Sequence, residues 1–476
     1  MGMITVTSIS GVGTIDLTTL VYTLLALPTI AAAISILPNP RAREVASLIS
    51  SATCLALSIA MFHSVLTCTL QSGWIYVDLP AAVIVFLIQA IYFLSVLYSI
   101  YFVNEIWKER PLFLRRRHYY ALINLFAMSM TFAAVSRNLG LMWVGLEATT
   151  IVSALLIVLE RSKASVEAAW RYIIVASAGL GVALLSLVMF HAFSGTVDWT
   201  RAEMSAKAAT LVAVLALVGF GTKVGIFPMH TWLPDAHGTA PPAVSAMLSA
   251  TLLPVALLAY LRVFEVAVAA GALKVVYITC FAGAVTALVA AILAVPQRIV
   301  KRLFAYSSMD VMGIAMTGVG LSAISPVALK ATLLLLIIHA FSKSALFFTG
   351  GNVITGLKTH EIEDVKALLS RTKLTGLSML LSALAVTGAP PFASFIAELV
   401  IVAVSLSVPY LTALLLSAIL LSFLAVNYHV TRMCFGGKGE SVSLSALSEL
   451  VPALACLTSL AISLVVWIAL AGGVLP

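Results

Sequence analysis

Residues 211–242 read LVAVLALVGFGTKVGIFPMHTWLPDAHGTAPP. An apolar run of helical character carries one lysine, Lys223, and then meets Pro228, Pro234, Pro241 and Pro242. Proline removes a backbone donor and clashes one turn back, so the run is expected to be a broken helix. Broken backbone at membrane depth survives only where protein or a water-lined cavity covers it. A second run has the same form. GAPPFASFIAEL, residues 388–399, places Pro390 and Pro391 before Glu398.

The rest of the chain supports a membrane setting. Of 476 residues, 62% are hydrophobic and 10% charged; the mean hydropathy is +1.11. A soluble globular domain does not have this composition. Apolar segments of about 20 residues fit helices crossing roughly 30 Å of hydrocarbon, and they are too continuous for barrel strands. The fold class expected is an all-α polytopic membrane protein of about 14 transmembrane helices. The spans start near Leu17, Val45, Leu79, Tyr119, Leu139, Ala168, Ala206, Ala243, Val275, Tyr306, Val327, Thr375, Tyr410 and Leu450.

Charge sorting sets an orientation. With alternating sides, nineteen of the 27 lysines and arginines collect on one side, in loops such as 103–118, 356–374 and 431–448. Six collect on the other: Arg137, Arg201, Lys207, Arg262, Lys274 and Lys330. The positive-inside rule then places both termini outside the cytoplasm, in a multi-pass protein of the cytoplasmic (inner) membrane. The net charge of +8 is therefore a topology signal and not a nucleic-acid footprint. No basic residue precedes the first apolar run, so the first helix is expected to remain in the mature chain.

The breaks fall at spans seven and twelve, five apart. Paired breaks at matching positions point to inverted repeats. The expected organisation is residues 1–118 as helices one to three, 119–268 as a first five-helix repeat, 269–435 as a second, inverted one, and 436–476 as helix fourteen.

Charges inside apolar runs are costly and usually functional. Glu147 lies in LGLMWVGLEATTIVSALLIVL, one turn from Trp143. Its proton affinity depends on the distance to a lysine, unless it is locked in a structural pair. Lys223 lies between Gly219–Gly221 and Pro228, mid-run, where snorkelling to an interface is the competing reading. His339 and Lys343 share one helix face; an imidazole beside a buried lysine suits a relay, and an interhelical hydrogen bond is the alternative. Glu398, seven residues after Pro391, is an exit-side acid, a break cap or half of an ion pair. His230, Asp235 and His237 lack a fourth ligand and a metal-like spacing, so they read as a hydrated loop near the cytoplasmic mouth. Asp310 follows the basic PQRIVKRLFAYSS stretch and reads as a helix cap. The five cysteines are scattered, with no CxxC pair or Cys/His cluster. No metal or cofactor is expected on this chain, so redox chemistry would have to sit on another subunit.

These residues, taken together, carry a family resemblance. WVGLEATT, TKVGIFPMHTWLPDAHGTAPP, KRLFAYSSMDVMG, HAFSKSALFFTGGN and PPFASFIAEL resemble the antiporter-like membrane subunits of respiratory complex I, multisubunit Na+/H+ antiporters and energy-converting membrane hydrogenases. LEATT followed by EAAWRY looks most like the hydrogenase 4 component F group. The resemblance implies fourteen helices, broken helices seven and twelve, and proton translocation along a hydrated axis. Glu147 matches the family's helix-five glutamate and Lys223 its helix-seven lysine. His339 and Lys343 match a helix-eleven relay, and Glu398 the helix-twelve charge. It implies a pump subunit of an oxidoreductase complex, with no redox centre of its own. The partners would be other membrane subunits and peripheral iron–sulfur, hydrogenase-like or quinone-reducing subunits on the cytoplasmic side. The cargo would be H+ or Na+; the alternative is an Na+/H+ antiporter subunit with no redox partner. Two departures stand out. Pro254 occupies the place of a helix-eight lysine, and Val311, next to Asp310, the place of a helix-ten histidine. The chain is also expected to lack the lateral helix of the most distal complex I subunit.

Overall fold

A computed structural model of the chain describes residues 17–109, 116–160, 162–437 and 439–472. Arg110, Arg115, Arg161 and Lys438 of the basic set lie outside the described residues, as do residues 1–16 and the side chain of Lys108. The first helices are α1 (Leu17–Ile36), α2 (Pro40–Val65), α3 (Leu79–Glu109), α4 (Arg116–Val135), α5 (Leu139–Ile157) and α6 (Lys163–Ser194). A short antiparallel hairpin, β1 (Leu70–Ser72) and β2 (Ile75–Val77), joins α2 to α3. Then come α7 (Ala206–Val224), α8 (Trp232–Thr239), α9 (Pro242–Met247), a π turn (Leu248–Leu252) and α10 (Leu253–Ala269). They are followed by α11 (Leu273–Ala294), α12 (Val300–Leu321), α13 (Pro326–Leu357) and α14 (Leu368–Arg371). The last four are α15 (Lys373–Val386), α16 (Ala393–Ser405), α17 (Pro409–Phe435) and α18 (Ala446–Ala471).

Among the described residues, twelve helical stretches are long and apolar enough to cross a membrane, with 206–239 and 242–269 each counted as one. Helix α12 and the shorter α15 and α16 fall outside that set. Several helices begin earlier than the apolar runs. Helix α2 starts at Pro40 instead of Val45, α6 at Lys163 instead of Ala168, and α12 at Val300 instead of Tyr306. Polar caps set two of these starts. The Asn39 side chain accepts from Arg41 N and Ala42 N, and Ser162 from Ser165 N.

The centre of the bundle is the segment 242–269, buried except in its last turn, together with α3 and α13. Helix α13 packs against α3, α9, α12, α15, α16 and α18. Helices α1, α2, α6, α17 and α18 expose most of their outward faces.

Both expected breaks are present, and the backbone they free is satisfied. Helix α7 ends at Gly225, whose φ of 90° is open to glycine. Beyond it, Phe227 N donates to Thr286 Oγ1 at 3.1 Å, and Trp232 Nε1 donates to Thr222 O at 2.8 Å. Helix α15 ends before Gly388, at φ 68°. There Ala393 N donates to Ser463 Oγ at 3.0 Å, Ser394 Oγ to Ala385 O at 2.5 Å, and Trp467 Nε1 to Pro391 O at 2.6 Å. Side chains of neighbouring helices thus do what water does in a loop.

Candidate functional site

Lys223 sits in the last turn of α7 and is fully buried. Its ammonium donates to Thr150 Oγ1 at 2.6 Å and to Tyr172 OH at 2.7 Å. The Tyr172 hydroxyl also pairs with Ser153 Oγ at 2.8 Å, and its ring leans on Trp232 at 4.7 Å. Glu147 is half-buried on α5, one turn before Thr150. It accepts from Ser177 Oγ at 3.1 Å through Oε1, while Oε2 is buried without a partner. Glu147 and Lys223 therefore share a cluster on α5, α6 and α7 but form no ion pair.

Lys343, midway along α13, is also fully buried. Its ammonium donates to Phe304 O at 2.8 Å and Ser307 Oγ at 2.5 Å, both on α12. Among the described residues neither lysine touches a carboxylate. Glu398 on α16 is 4% exposed, and its carboxylate lies against Gly388 in the α15–α16 break. Asp310 lies within electrostatic reach of both Lys343 and Glu398. It is not a helix cap: α12 begins ten residues earlier, at Val300, and Asp310 is buried in mid-helix with Oδ1 unpartnered. It faces the buried Ser422 hydroxyl of α17.

His230, Asp235 and His237 lie in helical structure and not in a loop. They lie on a single 3₁₀ turn and α8, pointing to different neighbours. His230 is buried beside the Phe227 ring at 5.7 Å. Asp235 is taken by Arg171 at 3.2 Å and Arg302 at 3.0 Å. His237 is fully buried, stacked on Phe347 at 5.1 Å, within reach of Lys301 and Lys343. Lys301 itself donates to Ala240 O, the carbonyl that ends α8, at 2.7 Å. His339 is buried one turn before Lys343, and neither of its ring nitrogens closes a hydrogen bond; nor does either of His237's. Pro254 opens α10 and lines a small apolar pocket with Pro80, Ile84, Leu257, Val319 and Leu336.

Sequence reasoning missed the uncharged partners. Thr150 was within reach, since it falls one turn after Glu147 on the same face. Tyr172 and Ser307 carry no local signal. They matter only because α6 lies on α7, and α12 on α13.

What this arrangement offers chemically is a set of buried, titratable side chains near the bundle axis, held by hydroxyls and carbonyls, beside two broken helices. Residues 136–424 match the family described as NADH:quinone oxidoreductase/Mrp antiporter, TM. The chain is 32% identical over 348 residues to the hydrogenase-4 component F homolog of Methylacidiphilum infernorum, covering 70% of this chain and 72% of that one. It superimposes on a chain of the Mrp complex from Dietzia sp. with a TM-score of 0.86 at 19% identity, covering 95% and 96% of the two chains. On a chain of respiratory complex I from Thermus thermophilus with bound aureothin, the TM-score is 0.80 at 21% identity, over 95% and 98%. At such identities the two structures speak for the fold. The family match and the hydrogenase relative settle membership: this integral membrane protein belongs to the antiporter-like membrane subunits of the complex I, Mrp antiporter and hydrogenase 4 family.

Proposed function

We propose that this chain is the proton-translocating membrane subunit of a redox-driven complex, of the energy-converting hydrogenase or NADH:quinone oxidoreductase-like kind. Protons pass through Glu147, Lys223, His339, Lys343 and Glu398, in a frame of fourteen spans with two inverted five-helix repeats. Iron–sulfur, hydrogenase-like or quinone-reducing chemistry belongs to peripheral partners on the cytoplasmic side, and further membrane subunits flank the chain. The observation that carries this reading is the coordination of the two lysines. Each is fully buried, yet each is held by uncharged oxygens only. A structural ion pair would set a carboxylate against each ammonium. An ammonium without a contacting counter-ion responds instead to any charge that approaches it.

Glu147 and Thr150 are one turn apart on α5, so about 4.5 Å along the helix separates Lys223's present partner from the carboxylate. A neighbour that moves Lys223 across that turn alters the proton affinity of both groups. That step loads a proton inward and drives one outward through Lys343 and Glu398. Moving one charge against 100 mV costs about 2.3 kcal/mol, which the redox partner supplies. In membrane vesicles of the assembled complex, Lys223→Ala should reduce driven proton uptake to background while the complex still assembles. Uptake at the wild-type rate would reject the path.

A second reading, an Na+/H+ antiporter subunit without a redox partner, draws on the family description, which names the Mrp antiporter beside NADH:quinone oxidoreductase. Purification under mild detergent separates the two. Iron–sulfur subunits recovered with the chain support the redox-driven complex, and small membrane subunits alone support the antiporter.

A further inference from the structure

Helices α2 and α4 both begin at the basic end of the bundle, and arginines crowd their starts. Arg41 and Arg43 lie in the first turn of α2, Arg116 and Arg117 in the first turn of α4, and neither turn carries an acid. Positive charge there adds to the positive end of each helix. The Asn124 side chain donates to Ser47 Oγ at 2.9 Å, which sets the register of α4 on α2. One turn nearer the helix starts, Tyr120 comes level with Arg43, and it lies within electrostatic reach of Arg43, Arg116 and Glu44. Arg117, Tyr120 and Asn124 share one face of α4. Arg43 is 9% exposed and Tyr120 1%. Arg43 Nε, Arg117 Nε and the Tyr120 hydroxyl are buried, and among the described residues none of the three has a hydrogen-bond partner. An arginine that served topology alone would keep its donors in water. Buried donors without an acceptor are costly, more so on charged groups. Glu44 offsets one of the four cations and leaves the cluster positive.

We propose that Arg43, Arg117 and Tyr120 form a binding site for the phosphate of an anionic membrane lipid, where α2 and α4 begin side by side. Each guanidinium presents a planar fork that matches two phosphate oxygens, and the phenol hydroxyl supplies a further donor. The surroundings favour a lipid over a free anion. Ile36 and Leu37 at the end of α1, and Val45 and Ile49 on α2, are exposed apolar side chains beside the arginines. Apolar surface thus leads from the charged cluster along the helices, as acyl chains below a headgroup require. Basic pockets between helices at the cytoplasmic end of a membrane protein bind anionic headgroups in this way. Arg41 is exposed and stays outside the site. The site shares no residue with the proposed proton path, so its failure would leave that path untouched.

The full chain, purified in mild detergent with phosphatidylglycerol and phosphatidylcholine supplied equally, tests the site by native mass spectrometry, which counts the lipids that stay bound. Wild type should retain phosphatidylglycerol in preference to phosphatidylcholine. Arg43→Gln with Arg117→Gln should lower that retention about tenfold or more, while Arg41→Gln stays within about twofold of wild type. Tyr120→Phe should lower it less, by about threefold. Wild-type retention in the double variant overturns the site, as does equal retention of phosphatidylcholine, which marks a lipid annulus only. Inorganic phosphate separates the two sources. The lipid should stay bound in a large excess of it; displacement by inorganic phosphate would make this a free-anion site and overturn the lipid. If the double variant does not insert, Arg43→Lys with Arg117→Lys keeps both charges and removes both forks. It should still lose phosphatidylglycerol severalfold, and undiminished retention there also overturns the site.

Discussion

Asp310 shows what a single misread start costs. Lys301 and Arg302 read as loop charges, which starts the apolar run at Tyr306 and puts Asp310 at its mouth. Yet Lys301 is 4% exposed, its ammonium bound to the end of α8, so the helix starts among the charges and carries Asp310 to mid-depth. There it is a buried acid like Glu398, within electrostatic reach of both Lys343 and Glu398. Asp310→Asn keeps the shape and removes the charge. Proton flux through the full chain in proteoliposomes should drop about tenfold or more, with Asp310→Glu retaining part of it. Flux unchanged in Asp310→Asn would make the residue a bystander. The two lysines, Glu147 and Glu398 were legible because a charge inside an apolar run needs no partner to be noticed. His237 was not, since its burial is decided by Phe347, 110 residues away.

At the scale of elements, the helix breaks were readable because proline acts locally. The groups that satisfy them, such as Thr286 and Ser463, were not readable, because they come from other helices. The same holds for a clasp at the end of the bundle opposite the basic loops. Arg137 N donates to Trp74 O at 2.8 Å, tying the hairpin to the α4–α5 turn. Its guanidinium meets Asp198 at 2.5 Å, with Arg201 3.5 Å from the same carboxylate. Arg262, 1% exposed, grips Asp78 at 2.6 Å and lies 4.4 Å from the Trp199 ring. Arg137 and Asp198, and Arg262 and Asp78, are far apart in sequence and have no shared motif. Burial alone would raise the Asp198 carboxyl, but hydrogen bonds from Arg137 and Thr200 outweigh it and hold the group below the ordinary carboxylate range. A lowered folded pKa adds stability above the unfolded pKa, and that stability is lost as pH falls through the folded one. In detergent, wild type should therefore melt above Asp198→Asn at pH 7, and the gap should close in acid below the usual carboxylate range. A gap that persists unchanged would detach the clasp from this carboxyl.

Across the whole molecule, the charge count sets an expectation of orientation, with the clasp end outside the cytoplasm, and the clasp bears on that expectation. Two of the six cations on the sparse side, Arg137 and Arg262, are spent on Asp198 and Asp78. That leaves the basic loops of the other end as the cationic face, as a cytoplasmic end requires. The chain carries its own reporter of this arrangement. Cys54, Cys280, Cys434 and Cys456 are buried, and Cys68 is exposed in the turn just before the hairpin, on the clasp side. A membrane-impermeant maleimide added to intact cells (spheroplasts where an outer membrane intervenes) should label the native chain, and Cys68→Ser should abolish that label. Labelling that requires permeabilised membranes would put the clasp in the cytoplasm. It would then reverse the direction of the path from Lys223 to Glu398, because the basic loops and their peripheral partners would face the wrong compartment.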